Sequence, residues 1–171
     1  CLDCVRIIRQ DARKLMAKEM QYQLSRLTCI PVSNCIKKMH FFHLSDLHIG
    51  KQLYGYSLLE DQEWILTEIY ELIREKRPDG VLIAGDVYDK SVPAAEAVTV
   101  FDRFLTKVSQ LEPKIPVLII SGNHDSPERL AFGAKILSRQ QIYVAGTCPQ
   151  IPEDHLKKVT FQDEWGETEV W

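Results

Sequence analysis

Three short apolar runs, each ending abruptly in a cluster of ligand-type side chains, constrain this chain more than any other feature. The runs are residues 40–45, 80–84 and 116–121. They are followed by Ser45-Asp46-Leu47-His48, by Gly85-Asp86-Val87-Tyr88-Asp89, and by Gly122-Asn123-His124-Asp125. Short runs rich in β-branched and apolar residues predict strands buried on both faces.

The segments between them have helical periodicity. From Leu58 to Lys76, the residues Leu59, Ile65, Leu66, Ile69, Leu72 and Ile73 share one face. Pro78 ends that helix. Ala94 to Gln110 predicts a second helix, with Val98, Phe101, Phe104, Leu105 and Val108 inward. Ser126 can cap a third helix that has Pro127 at its first position. Ile142 to Ala145 predicts a fourth strand, and Val159 to Phe161 and Thr168 to Trp171 two short ones. The β-α-β-α-β order predicts an α/β fold with mainly parallel strands and crossover helices.

In a parallel sheet the carboxyl ends of the strands lie along one edge, where ligands bind. The three polar clusters are therefore expected to converge. Carboxylates crowded together repel unless cations hold them. Oxygen and imidazole ligands together suit a divalent first-row metal. Asp46 and His48, two residues apart, can reach one ion. The two-oxygen carboxylate of Asp86 can bridge two ions, and Asn123 offers an amide oxygen to the second. Two such ions, about 3.5–4 Å apart, would polarise a phosphate and neutralise charge during in-line attack. His124 could give a proton to the leaving oxygen, and Asp125 could orient that histidine. Taken singly, each motif has a plainer reading as a turn or a helix cap. Three in this order, each directly after an apolar strand, favour the metal site.

Composition excludes some classes. Of 171 residues, 45% are apolar and 26% charged, enough for a core and unlike a disordered chain. The net charge of −3 supplies no global basic field for nucleic acid, although bound cations can supply one locally. No apolar run of membrane-spanning length and no secretory signal occur, so no membrane association and a cytoplasmic setting are expected. Phosphate-loop and dinucleotide-binding glycine motifs are absent. Five cysteines do not suggest a disulfide framework; Cys1, Cys4, Cys29 and Cys35 form only a poorly spaced zinc candidate.

Charge changes at Met39. Residues 1–38 hold eight Lys/Arg against three Asp/Glu, and the rest thirteen against twenty-one. The expectation is that residues 1–38 are an extraneous, upstream-derived basic segment. Ile8, Ala12, Leu15, Met16, Met20, Leu24 and Leu27 would give it an amphipathic helix. Residues 39–171 are expected to be the N-terminal part of a domain, truncated.

Asp-x-His, Gly-Asp and Gly-Asn-His-Asp, in that order, resemble the signature of the calcineurin-like metallophosphoesterase superfamily. The stretches MHFFHLSDLHIG, DGVLIAGDVYDKSVP and VLIISGNHDSPERLAFG resemble its DNA-nuclease members in closer detail. The resemblance runs from Met39 to about Gly146. It implies the first half of a calcineurin-like sandwich, incomplete and with one sheet face left uncovered. It implies two divalent ions, manganese above all, held by Asp46, His48, Asp86 and Asn123. His124 would be catalytic, with Asp89 and Asp125 behind the ligands. It further implies phosphodiester hydrolysis in DNA, by a hairpin-opening endonuclease and 3′–5′ exonuclease acting in recombination, replication and repair. The implied partners are DNA, an ATPase subunit and a second copy of the protein.

The family draws further histidine ligands from its second half. Here only His155 follows His124, in a context that matches no ligand motif, so this chain is expected to have little activity alone. Two rivals stay open: a phosphatase or cyclic-nucleotide phosphodiesterase on the same fold, and a non-catalytic binding fragment. Lys51, Arg103 and Arg129 are candidate phosphate contacts, more simply read as surface residues. Trp64 and Tyr70 read as packing or dimer contacts.

Overall fold

The computed structural model describes residues 39–147 and 158–170. The expected basic helix, the cysteine cluster and His155 lie outside the described residues.

Short continuous apolar runs form the central sheet. Its strands are β1 (Phe41–Leu44), β4 (Gly80–Ala84), β5 (Val117–Ile120) and β6 (Ile142–Ala145), all parallel and in sequence order. The register aligns Phe42, Val81, Val117 and Ile142 in one row across the sheet. Leu44, Ile83, Ile119 and Val144 form the next row on the same side. Successive side chains point to opposite faces, so these two rows make one apolar face. Val81, Ile83, Val117 and Ile119 are almost wholly buried there.

Two helices cover that face. Helix α1 (Leu59–Lys76) buries Leu66, Ile69 and Ile73. It stops where Arg77 turns left-handed, its amide donating to the Ile73 carbonyl, and Pro78 cannot continue the helix. Helix α2 (Ala95–Ser109) buries Ala97, Val100, Phe101, Phe104, Leu105 and Val108. Here the structure corrects the predicted stripe. Val98 is 42% exposed, and Val100 with Ala97 is inward instead. The true stripe runs 97, 100, 101, 104, 105, 108, a full-width helical face. Right-handed crossovers with strands in sequence order place both helices on one side.

The third predicted helix exists but is one turn, α3 (Pro127–Leu130). The Ser126 hydroxyl accepts from the Arg129 amide at its start. A second single turn, α4 (Ala134–Leu137), leads into β6. Among the described residues, the opposite face of the sheet is only partly covered. An antiparallel hairpin, β7 (Val159–Asp163) with β8 (Gly166–Val170), sets Phe161 edge-on against Phe41 at 4.9 Å. Farther along that face, Ile120 is 50% exposed.

A small hairpin went unpredicted: β2 (Gln52–Leu53) and β3 (Tyr56–Ser57). Its turn, Tyr54-Gly55, has positive φ at both residues (50° and 80°), the requirement of a tight two-residue hairpin turn.

Candidate metal centre

The loops leaving β1 and β4 are zipped together by backbone hydrogen bonds. The Asp46 amide donates to the Gly85 carbonyl (3.2 Å), His48 to Asp86 (2.9 Å) and Ile49 to Val87 (2.9 Å); Asp89 donates back to Ile49 (3.2 Å). The third loop joins through side chains. Oδ1 of Asp86 accepts from the His124 amide at 2.9 Å. All three polar clusters therefore meet at one edge of the sheet, as parallel strands require.

Backbone conformation marks the same place. Asp46, His48 and Asp86 all have positive φ, at 55°, 42° and 49°. Left-handed residues other than glycine cost on the order of 1–3 kcal/mol each, less for Asp, and concentrate at functional sites. Gly122 is demanded for a different reason. A Cβ there would collide with Oδ1 and the backbone nitrogen of Asp86. Only glycine lets the β5 loop approach Asp86 this closely.

Ligand-type atoms of His48, Asp86 and His124 lie within 4.8 Å of one another. Nε2 of His48 is 3.8 Å from Oδ2 of Asp86, and its Nδ1 is 3.6 Å from Oδ1 of Asp89. The His48 and His124 rings meet edge to face, 4.9 Å between centroids. Asn123 and His124 line an open cleft of about 530 Å³ with Asp89, Lys90, Ser91 and Val92. Asp46 is exposed and tied by its backbone beside Gly85, the neighbour of Asp86.

A cation fits this donor set. Nδ1 of His48 is buried and has no hydrogen-bond partner. A buried imidazole nitrogen left unpaired is unfavourable, and a metal ion would satisfy it. A carboxylate and two imidazoles also match a first-row divalent ion.

The His124 ring is oriented by a different group from the one expected. Its Nδ1 lies 3.0 Å from the Asp89 carbonyl oxygen. A carbonyl only accepts, so Nδ1 carries the proton and Nε2 is left for a ligand or substrate. Asp125 does not touch that ring. Its carboxylate accepts from three backbone amides: Val87 (3.1 Å), Tyr88 (2.9 Å) and Gly122 (2.9 Å). Asp125 is 6% exposed and acts as a staple between the β4 and β5 loops.

Sequence spacing gave no hint of Gln62, in the first turn of α1. Its side chain accepts from the Gly50 amide (2.9 Å) and donates to the carbonyls of Leu47 (3.1 Å) and His48 (2.8 Å). The candidate phosphate contacts divide. Nζ of Lys51 lies 3.9 Å from Oδ1 of Asp89, at the site's border. Arg103 instead pairs with Glu63 between the two helices at 2.7 Å, and Arg129 borders a groove on the helical side with Phe132 and Ile136. Tyr70 lies under Nζ of Lys107 at 5.7 Å, and Trp64 is 42% exposed.

Residues 39–167 match the family model described as calcineurin-like phosphoesterase, three quarters of the chain. The chain belongs to the calcineurin-like phosphoesterase family. Over 106 residues it is 42% identical to the SbcD component of the SbcCD nuclease of Staphylococcus epidermidis. That similarity spans 62% of this chain and 28% of the relative. The strand-edge cluster of His48, Asp86 and His124 lies within the residues that the family model matches. No helix among the described residues is long and apolar enough to cross a membrane.

Proposed function

We propose that this chain is part of an SbcD-type DNA nuclease and contributes about half of its metal centre. The observation that carries the reading is the cluster of His48, Asp86 and His124, whose ligand-type atoms lie within 4.8 Å of one another. Similarity to a component of the SbcCD nuclease supports DNA as the substrate.

In this reading Asp46 and His48 would hold one divalent ion, Asp86 would be shared, and Asn123 would serve the second. The ions would be manganese, and when bound would supply charge neutralisation at the phosphate and an activated water. His124 faces the phosphate through Nε2 and, as the doubly protonated imidazolium, hands the Nε2 proton to the leaving oxygen while its Nδ1–H stays on the Asp89 carbonyl. Asp125 and Asp89 hold the loops that carry these groups. The activity is hairpin-opening endonuclease and 3′–5′ exonuclease in recombination, replication and repair, in the cytoplasm. Its partners are an SbcC-type ATPase and a second copy of the protein. Residues 1–38 stand outside this domain.

Titration with manganese, followed by incubation with hairpin DNA beside a small aryl phosphodiester, tests the reading. Saturable manganese binding and slow, chelator-sensitive cleavage of the DNA in preference to the small ester are expected. Slow turnover is expected of residues that align with 28% of the relative's length. Preference for the small ester would indicate a phosphodiesterase of another kind. Absence of manganese binding would leave a non-catalytic binding fragment.

A further inference from the structure

We propose that Gln62 is a positioning residue for the metal centre, presetting the loop that aims His48. The proposal rests on the metal-site reading above.

The loop from Asp46 to Gly50 is an unusual conformation to hold. Three of its five residues have positive φ: Asp46, His48 and Gly50. Such a loop persists only when its surroundings over-determine it. Backbone bonds to the β4 loop fix one side, through the amides of Asp46, His48 and Ile49. The other side presents the carbonyls of Leu47 and His48 and the amide of Gly50, none of them part of a regular ladder. One Gln62 amide group meets all three, at 3.1, 2.8 and 2.9 Å. Both kinds of partner are needed, two acceptors and one donor. A primary amide has both, and neither a carboxylate nor an ammonium does.

Gln62 can hold this position because it sits on a rigid support. Its own amide donates to the Leu58 carbonyl (2.9 Å) as α1 begins, and α1 is anchored in the core by Leu66, Ile69 and Ile73. The core is thus connected through one side chain to the backbone of His48. With that carbonyl and the Gly50 amide held, His48 is fixed with Nε2 toward Asp86 and its ring edge-on to His124.

Gln62→Leu keeps the size and removes all three hydrogen bonds. In the metal-free full chain, nuclear Overhauser contacts between the His48 and His124 rings are expected to weaken, and hydrogen exchange at Gly50 to accelerate. Manganese affinity is expected to fall about 10- to 100-fold, the range seen when groups behind a metal ligand are removed. Thr67→Val, which removes only a helix-internal bond to the Glu63 carbonyl, should change neither. If Gln62→Leu does not fold, Gln62→Glu serves instead: it keeps the acceptor for Gly50 but sets a carboxylate against two carbonyls, and should lose the same ring contact. A folded variant that keeps the His48–His124 contact at full strength overturns the proposal. Should the wild-type chain take up no manganese, the metal-site reading fails by itself, while the metal-free ring contact still decides the role of Gln62.

Discussion

The amide of His124 donates to Oδ1 of Asp86 at 2.9 Å, across 38 positions of sequence. One carboxylate oxygen of Asp86 is thereby committed to the protein, and the other faces His48. The carboxylate that the proposed reading assigns to the metal ions is also one of the pins that hold the third loop in place. Asp86→Ala should therefore abolish manganese binding and also destabilise the apo chain by about 1 kcal/mol, the net worth of a part-buried hydrogen bond. Urea unfolding with and without manganese separates the two effects. An apo stability equal to wild type would contradict the dual role.

Asp125 is expected to matter more for stability than for chemistry. Its carboxylate accepts three backbone amides at 6% exposure. Asp125→Ala leaves all three donors without that acceptor and should cost about 3–5 kcal/mol. Near the melting midpoint that corresponds to a drop of about 6–20 °C for a chain of this size. A loss of under about 1 kcal/mol in chemical denaturation would show that the staple is dispensable.

Gly122→Ala tests the close approach of the β5 loop. The added methyl group meets the Asp86 carboxylate and its backbone nitrogen, which have no freedom to retreat. The variant should lose about 2–4 kcal/mol, as over-packed or strained sites do. Manganese affinity should fall with it, because Asp86 must move. Gly133→Ala is a useful comparison: space there is open, and only its left-handed φ of 75° resists. It should lose no more than about 1 kcal/mol.

Metal addition should stabilise the fold. An ion bound only by the folded chain contributes about 2.7 kcal/mol at a hundred times its dissociation constant. The thermal midpoint should rise by roughly 5–11 °C with manganese and return with a chelator. Scanning calorimetry with His48→Ala as control measures this, and an unshifted midpoint in wild type counts against the site.

The phenol of Tyr88 supplies a pH test. Burial, with the nearby Asp125 and Asp102 carboxylates, pushes its pKa up to about 12 from 10. The folded chain keeps the proton where the unfolded chain loses it. The stability this contributes is complete below pH 10 and is lost as pH rises from 10 toward 12. Ultraviolet titration of tyrosinate should show one late-titrating group, missing in Tyr88→Phe. The variant should also show a shallower loss of stability across that window.

The strands β4, β5 and β6 are legible in sequence because they are apolar, rich in β-branched residues and bounded by glycine or proline, and β1 because its short apolar run ends at Ser45-Asp46. Convergence of the three polar clusters follows from parallel pairing alone. Other features depend on contacts that periodicity does not encode. Val98 and Val100 both fit a helical stripe beside Phe101, and only the sheet beneath decides which is inward. The β2–β3 hairpin has two-residue strands, too short for alternation to register, and its Tyr-Gly turn is a weak signal. Asp125 looks like a partner for the adjacent His124, yet backbone direction sends it to three amides of other residues. Gln62 joins a loop twelve or more positions behind it, a pairing visible only in three dimensions.

Strand order in the sheet follows the order of synthesis, with each strand bonded to the one before and the one after. Nothing has to wait for a later segment to be threaded in between. As the polypeptide leaves the ribosome, the β1 and β4 loops can close and set Asp46, His48 and Asp86 side by side before Asn123 exists. The pocket can thus be built up by accretion, one edge at a time.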